Sequence, residues 1–110
     1  QMKASQWTIG KNFDQTGSIG PDFVTADELP AGGKGLQIQC RVNGQVLQDS
    51  NTREMIFDTK TLVYEIAKAI TLHPGDIICT GTSVGLGAMP RNSTIEVEIN
   101  KIGVLKNTYK

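Results

Sequence analysis

An Asn43-Gly44 step between two apolar segments restricts the fold more than any other feature of this chain. Apolar and polar residues alternate before it, from Leu36 to Val42, and Gln45-Val46-Leu47 follows it. Alternation with a period of two predicts strands with one buried face, and Asn-Gly is the pair that type I′ turns favour. The sequence therefore predicts a β-hairpin here.

A second alternating segment lies near the end of the sequence. Residues 95–100 alternate apolar with polar side chains, and Gly103-Val104-Leu105 returns after a short turn. This pattern predicts another half-buried hairpin. Glu96 and Glu98 share its polar side, so we expect them on a solvated face rather than in a catalytic carboxylate pair.

Only one segment has convincing helical spacing. Asp58 and Thr59 can cap it, and the pattern predicts an amphipathic helix over about 59–71. Its apolar residues recur at intervals of three and four: Leu62, Val63, Ile66, Ala67 and Ile70. Trp7-Thr8-Ile9 and Ile77-Ile78-Cys79-Thr80 predict further strands, the second covered on both faces. The predicted class is α+β and mainly β.

Composition excludes several classes of function. The 110 residues include 11 basic and 11 acidic side chains, so there is no excess of positive charge for nucleic acid or an anionic membrane. The longest apolar runs fall far short of the ~20 residues that span a bilayer, and no signal-peptide pattern opens the sequence. We expect one small domain, or part of a larger one, in a cytoplasmic protein that binds neither nucleic acid nor membranes.

The cysteines and the histidine form no recognisable metal or nucleophile constellation. Cys40 and Cys79 each lie within an apolar, strand-like run without C-x-x-C spacing, so we expect buried structural thiols rather than a disulfide. His73 precedes Pro74-Gly75 in a predicted turn and has no neighbouring ligand or nucleophile.

Two glycine-containing segments are candidates for chemistry. Gly10-Lys11-Asn12-Phe13-Asp14 sets a lysine among turn formers, where its cation could face a ligand or could simply be exposed beside a turn. Residues 81–87 follow a predicted strand but lack the Gly-Lys-Ser/Thr end and the helix of a phosphate-binding loop. Their amides, with the hydroxyls of Thr82 and Ser83, could bind carboxylate or enolate oxygens, and a plain tight connection is the alternative.

The motifs along the chain stand in the order seen in the fumarylacetoacetate hydrolase family, which the chain resembles over nearly its whole length. The matching segments are Gly10-Lys11-Asn12-Phe13-Asp14, Gly20-Pro21, Val24-Thr25-Ala26-Asp27-Glu28, Val42-Asn43-Gly44, Gln48-Asp49-Ser50-Asn51-Thr52, Met55-Ile56-Phe57, Pro74-Gly75-Asp76 and Thr80-Gly81-Thr82. The resemblance implies a mixed β-sandwich roll, a homodimer, and an enzyme that acts on 2-oxo or 1,3-dioxo acids with Mg²⁺ or Mn²⁺. Acylpyruvate-type C–C bond hydrolysis and oxaloacetate-type decarboxylation are the reactions implied first, with isomerisation and dehydration left open, and each would pass through a metal-stabilised enolate.

The resemblance also implies roles for individual residues. Lys11 would stabilise the developing oxyanion, Gly81 and Thr82 would bind the substrate carboxylate, and Gln1 would be a second substrate contact. The family's metal ligands, a Glu-x-Glu pair and an aspartate, precede the position that Gln1 matches. Residues 1–110 would then be the carboxy-terminal portion of the catalytic domain, with no metal ligand among them. The alternative is a non-catalytic, β-rich interaction or assembly module that keeps the fold without the metal.

Overall fold

The two predicted hairpins form one antiparallel sheet within the part of the chain that this computed structural model describes, residues 5–85 and 87–110. The strand order is β2-β1-β3-β4, so β1 and β3 lie in the centre and join the two hairpins. The strands are β1 (Gln37–Val42), β2 (Gln45–Asn51), β3 (Ser93–Ile99) and β4 (Gly103–Tyr109). Both hairpin predictions are confirmed.

The Asn43-Gly44 turn also ties the first hairpin to the second. Its two residues have φ angles of 50° and 82°, the left-handed pair that a type I′ turn requires. The Asn43 side chain accepts a hydrogen bond from the Thr94 amide at 2.9 Å and donates one to the Ser93 hydroxyl at 3.3 Å. Ser93 is fully buried. These bonds fix the position where the two hairpins meet.

The face of the sheet that bears the acidic residues holds an ion-pair network. Arg41 lies 2.6 Å from Glu98 and 3.6 Å from Glu96, and Lys106 lies 3.0 Å from Glu96. The bond from Lys106, with help from Arg41, lowers the pKa of Glu96. The two glutamates therefore lie on the polar face, as expected, and hold β1, β3 and β4 together there.

The main helix, α2 (Thr59–Ala67), begins where it was predicted to begin. The Asp58 carboxylate caps it by accepting a hydrogen bond from the Thr61 amide at 2.7 Å. It ends four residues before the predicted end, because the amides of Ala69 and Ile70 both bond to the Ile66 carbonyl and close the last turn. Two 3₁₀ turns precede it, at Ala31–Gly33 and Thr52–Glu54.

The predicted strand at Trp7-Thr8-Ile9 is wrong. These residues belong to a short helix, α1 (Trp7–Lys11), in which the Gly10 amide bonds to the Gln6 carbonyl at 3.4 Å. Trp7 is 68% exposed and Ile9 is 66% exposed. No strand within the described residues lies beside this segment, and β-propensity has little effect without a partner strand.

The predicted strand at Ile77-Ile78-Cys79-Thr80 is also wrong. Residues 77–80 belong to none of the described strands of the sheet, and Ile77 is 63% exposed. Cys79 is exposed and Cys40 is half-buried, so the expectation of two buried thiols is wrong, although both thiols are free.

The observed elements confirm an α+β, mainly β class. Among the described hydrophobic residues, only Leu36 and Val42 are buried, so the core is small. It lies at the two ends of β1, and the rest of the apolar sheet face is open to a cleft. In the described part of the chain, no helix is long and apolar enough to cross a membrane.

Candidate functional site

A cleft of about 730 Å³ lies over the apolar face of the sheet. Its floor consists of side chains from the two central strands: Ile38, Cys40, Val97 and Ile99. The segment before α2 and the helix itself supply one wall, with Met55, Ile56, Phe57 and Leu62. Residues 80–83 form part of the rim, where Thr82 and Ser83 provide hydroxyl groups. An apolar floor with a few polar groups at its edge is typical of small-molecule sites.

The rim segment is attached to β2 through Gln48, whose side chain also lines the cleft. The Gln48 amide nitrogen lies 3.1 Å from the Thr82 hydroxyl, 3.0 Å from the Ser83 carbonyl and 3.4 Å from the Ser83 hydroxyl. These bonds set the position of Thr82 relative to the sheet. Gln48 had no role among the sequence-based expectations, because the register shift that brings it to the apolar face is not visible in the sequence.

Close backbone packing also holds the rim against β2. Gly85 has a φ of 104°, and a Cβ atom built on it would overlap the carbonyl oxygen of Leu47. Only glycine has both the backbone freedom and the small size for this position. Leu47 is the extra residue of a β-bulge, because Cys40 pairs with Gln48 whereas Arg41 pairs with Val46.

The position of Gln48 is also supported from the opposite face of the sheet. Asp49 accepts hydrogen bonds from the side-chain amides of Gln37 and Gln39, each at 2.9 Å. These two bonds lower the pKa of Asp49, so its carboxylate stays charged and bonded at neutral pH. Thus β2 is anchored to β1 on one face while it holds the rim segment on the other.

The predicted site residues are only partly brought together. Gly81 and Thr82 line the cleft. Lys11 is exposed at the end of α1, with its ammonium 5.3 Å from the centre of the Trp7 ring, and it is not among the residues that line the cleft described here. Gln1 lies outside the described residues.

The remaining candidates lie apart from the cleft or form no metal site. His73 is exposed in the predicted turn, where its amide donates to the Asp76 carboxylate at 2.7 Å. Mg²⁺ and Mn²⁺ take several oxygen ligands. Within residues 5–85 and 87–110, no group of three or more His, Cys, Asp or Glu could hold a metal ion, and Glu54 is the one carboxylate among the cleft residues. The described residues therefore do not fit a divalent metal site by themselves.

Comparison with known proteins gives a match over the whole chain. The family model described as Fumarylacetoacetate (FAA) hydrolase C-terminal matches residues 1–110. The mitochondrial oxaloacetate tautomerase of Bos taurus is 41% identical over 109 residues, which are 93% of this chain and 34% of that protein. The chain spans less than half the length of the curated relatives that it matches, for example 45% and 42% of two archaeal proteins.

Solved structures agree with this assignment. The crystal structure of 2-hydroxyhepta-2,4-diene-1,7-dioate isomerase from Mycobacterium marinum matches with a TM-score of 0.86 and 36% identity, over 94% of this chain and 40% of that one. Maleylpyruvate hydrolase from Sphingobium sp. SYK-6, in complex with manganese(II) and pyruvate, matches with a TM-score of 0.78 and 31% identity, over 82% of this chain and 34% of that one. These likenesses confirm the expected fold.

Proposed function

Since this chain belongs to the fumarylacetoacetate hydrolase family, we propose that its protein is a divalent-metal-dependent enzyme acting on 2-oxo or 1,3-dioxo acids. The reactions proposed are hydrolysis of a C–C bond in acylpyruvates and decarboxylation of oxaloacetate. The relatives named above are a tautomerase, an isomerase and a hydrolase. Reactions of all three kinds can pass through an enolate, so an oxyanion-stabilising site would serve any of them.

The observation that best supports this proposal is the rim of the cleft. Thr82 and Gly81 lie beside an apolar floor, and the cleft volume of about 730 Å³ suits a small organic acid. We assign Thr82 to the substrate carboxylate, which its hydroxyl and amide would bind. Lys11 is proposed as the cation that stabilises the developing oxyanion, and Gln1 as a second substrate contact.

The proposed metal is Mg²⁺ or Mn²⁺. Its support is the manganese complex of the maleylpyruvate hydrolase, and its ligands are expected outside residues 1–110. A bound divalent ion supplies Lewis-acid polarisation of substrate oxygens. We also propose that the protein is a homodimer, which light scattering coupled to size-exclusion chromatography would test. A cytoplasmic location stays a prediction.

The direct test uses the polypeptide encoded by the complete gene. After EDTA treatment and gel filtration, it would be assayed with oxaloacetate and with acetylpyruvate, before and after addition of Mn²⁺ or Mg²⁺. We expect turnover of at least one of these acids, and we expect it to depend on the added metal. Replacement of Thr82 by valine should raise KM, whereas the matched change Thr108→Val, on the outer strand β4, should not.

Absence of metal-stimulated turnover with both acids would refute the enzyme proposal. The alternative, a non-catalytic interaction or assembly module, predicts that result. It further predicts that the metal ligands of the family, a Glu-x-Glu pair and an aspartate, are missing from the sequence that precedes Gln1 in the complete gene. Reading that sequence therefore separates the two proposals before any assay is done.

A further inference from the structure

Gln48 is the polar side chain that connects β2 to the rim of the cleft. It is half-buried, and it lies opposite Cys40 on the apolar face of the sheet. Its amide nitrogen is within hydrogen-bond distance of three oxygens that belong to Thr82 and Ser83. Polar side chains that are shielded from water usually have hydrogen-bond partners within the protein, and these oxygens are the partners of the Gln48 amide.

The orientation of the Gln48 amide follows from the chemistry of its neighbours. A backbone carbonyl oxygen can only accept hydrogen bonds, so the Gln48 atom that lies 3.0 Å from the Ser83 carbonyl must be the nitrogen. That nitrogen has two hydrogens. One goes to the Ser83 carbonyl, and the nearest acceptor for the other is the Thr82 hydroxyl oxygen at 3.1 Å rather than the Ser83 hydroxyl at 3.4 Å.

This arrangement distinguishes the two neighbouring hydroxyl groups. The Thr82 oxygen accepts from Gln48, so its own single hydrogen is left for a different acceptor. The Ser83 hydroxyl donates to the Val84 carbonyl at 3.4 Å, which engages its hydrogen with the backbone. Thr82 is exposed at the rim, whereas Ser83 is half-buried. Of the two, Thr82 is the one with a hydrogen to offer to a bound anion.

We propose that Gln48 is a positioning residue, which holds the Thr82 hydroxyl as an acceptor and so directs its hydrogen toward the substrate carboxylate. This inference rests on the proposed function, in which Thr82 binds that carboxylate. In this role Gln48 acts through Thr82 rather than on the substrate directly. The β-bulge at Leu47 is what places Gln48, rather than Leu47, opposite Cys40 and beside the rim.

The test uses two substitutions of Gln48 in the complete protein with the acid that it turns over. Gln48→Met keeps the length of the side chain but removes both donors. Gln48→Glu keeps the shape, but its ionised carboxylate can only accept, so it draws the Thr82 hydrogen away from the substrate. Gln45→Glu is the matched control, because Gln45 is the exposed first residue of the same strand.

The two variants should differ in their pH profiles. At pH 8 we expect each to lower kcat/KM by about 10-fold, the effect of losing one charge-assisted hydrogen bond, mainly through KM. As the pH falls toward 5, a growing fraction of the new glutamic acid is protonated and can donate, so Gln48→Glu should recover part of its loss relative to the wild type, whereas Gln48→Met should not. Gln45→Glu should match the wild type at both pH values. Equal losses in the two Gln48 variants at both pH values would contradict the inference.

Thr82→Val separates failure of this inference from failure of the proposed site. If Thr82→Val lowers kcat/KM and Gln48→Met adds no further loss to it, the two residues act as one unit, as proposed. If Thr82→Val is impaired but both Gln48 variants match the wild type, Gln48 does not position it and the inference fails. If Thr82→Val itself matches the wild type while turnover persists, both the proposed role of Thr82 and the inference about Gln48 are refuted. The proposed activity is not affected by that result.

Discussion

Replacing Gly85 with alanine should release the rim segment from β2. Gly85 has a φ of 104°, which residues with a Cβ rarely adopt, and the new methyl group would overlap the Leu47 carbonyl oxygen. The overlap is with backbone, so no side-chain rotation relieves it. Either the bulge in β2 or the rim segment must move, and the rim has fewer bonds to hold it in place.

The size of the effect is limited by the bonds that are lost when the rim segment leaves. Backbone strain of this kind costs about 1–3 kcal/mol. The Gln48 amide makes two principal hydrogen bonds to the segment, worth together about 1–3 kcal/mol net. If the strain and overlap in the alanine variant cost more free energy than these hydrogen bonds contribute, the segment separates from β2. We therefore expect Gly85→Ala to lower the free energy of unfolding by about 1–3 kcal/mol and no more.

Urea denaturation of the complete protein, together with NMR of the Gln48 side-chain amide, tests this prediction. Gly87→Ala is the control, because Gly87 lies two residues further along the chain, has no positive φ, and would have nothing within 4 Å of an added Cβ. The Gln48 amide should lose its protection from hydrogen exchange in Gly85→Ala and keep it in Gly87→Ala. An equal loss of stability in the two variants, or an unchanged Gln48 amide in Gly85→Ala, would refute the reasoning.

Three further predictions follow from other parts of the fold. Asn43→Ala should lower the free energy of unfolding by about 1–3 kcal/mol in urea denaturation, because the buried Ser93 hydroxyl and the Thr94 amide lose their partner. Because Glu96 has a lowered pKa, its ionised form stabilises the protein above the ordinary value of 4.5, and this contribution disappears as the pH falls through the lower folded value. Denaturation at pH 7 and pH 3 should therefore differ less in Glu96→Gln than in the wild type. Lys11→Met should reduce turnover far more than it weakens Mn²⁺ binding by calorimetry, and equal kinetics would remove Lys11 from the mechanism.

The hairpins could be predicted from the sequence because their signals are local. Asn43-Gly44 has the backbone preference of one turn type, and the alternating residues on each side must share a face. The start of α2 was predictable for the same reason, since the Asp58 cap acts within a single turn. Such features depend on residues a few positions apart, and no distant partner is needed to determine them.

The short apolar segments were mispredicted because their structure depends on partners. Three or four apolar residues, as at 7–9 or 77–80, suit a strand only when another strand lies alongside. The described residues offer none, so Trp7–Lys11 closes its hydrogen bonds locally as a helix, and residues 77–80 form no regular element and are mostly exposed. The early end of α2 could not be predicted from apolar spacing either. It depends on backbone geometry, because the amides of Ala69 and Ile70 share the Ile66 carbonyl.

The candidate site shows the same division between local and non-local signals. The glycines of residues 81–87 indicated a strand-end loop with exposed amides, and Gly81 and Thr82 do lie at the rim of the cleft. Gln48 could not be found in this way, because glutamine in a strand has no special propensity. Its importance comes from its hydrogen bonds to Thr82 and Ser83, which lie 34 and 35 positions further along the chain.

The bulge explains why even a careful count of alternation would misplace Gln48. Val42 pairs with Gln45 and Arg41 with Val46, so a regular ladder would put Leu47 opposite Cys40 and turn Gln48 to the polar face. The extra residue shifts the register, and Gln48 takes the cleft-facing place instead. From that point on, Asp49 faces the amides of Gln37 and Gln39, so the same shift that brings Gln48 to Thr82 also forms the bonds that anchor β2 from behind. The one extra residue of the bulge therefore accounts both for the bonds from Gln48 to the rim and for the bonds that hold β2 to β1 on the other face.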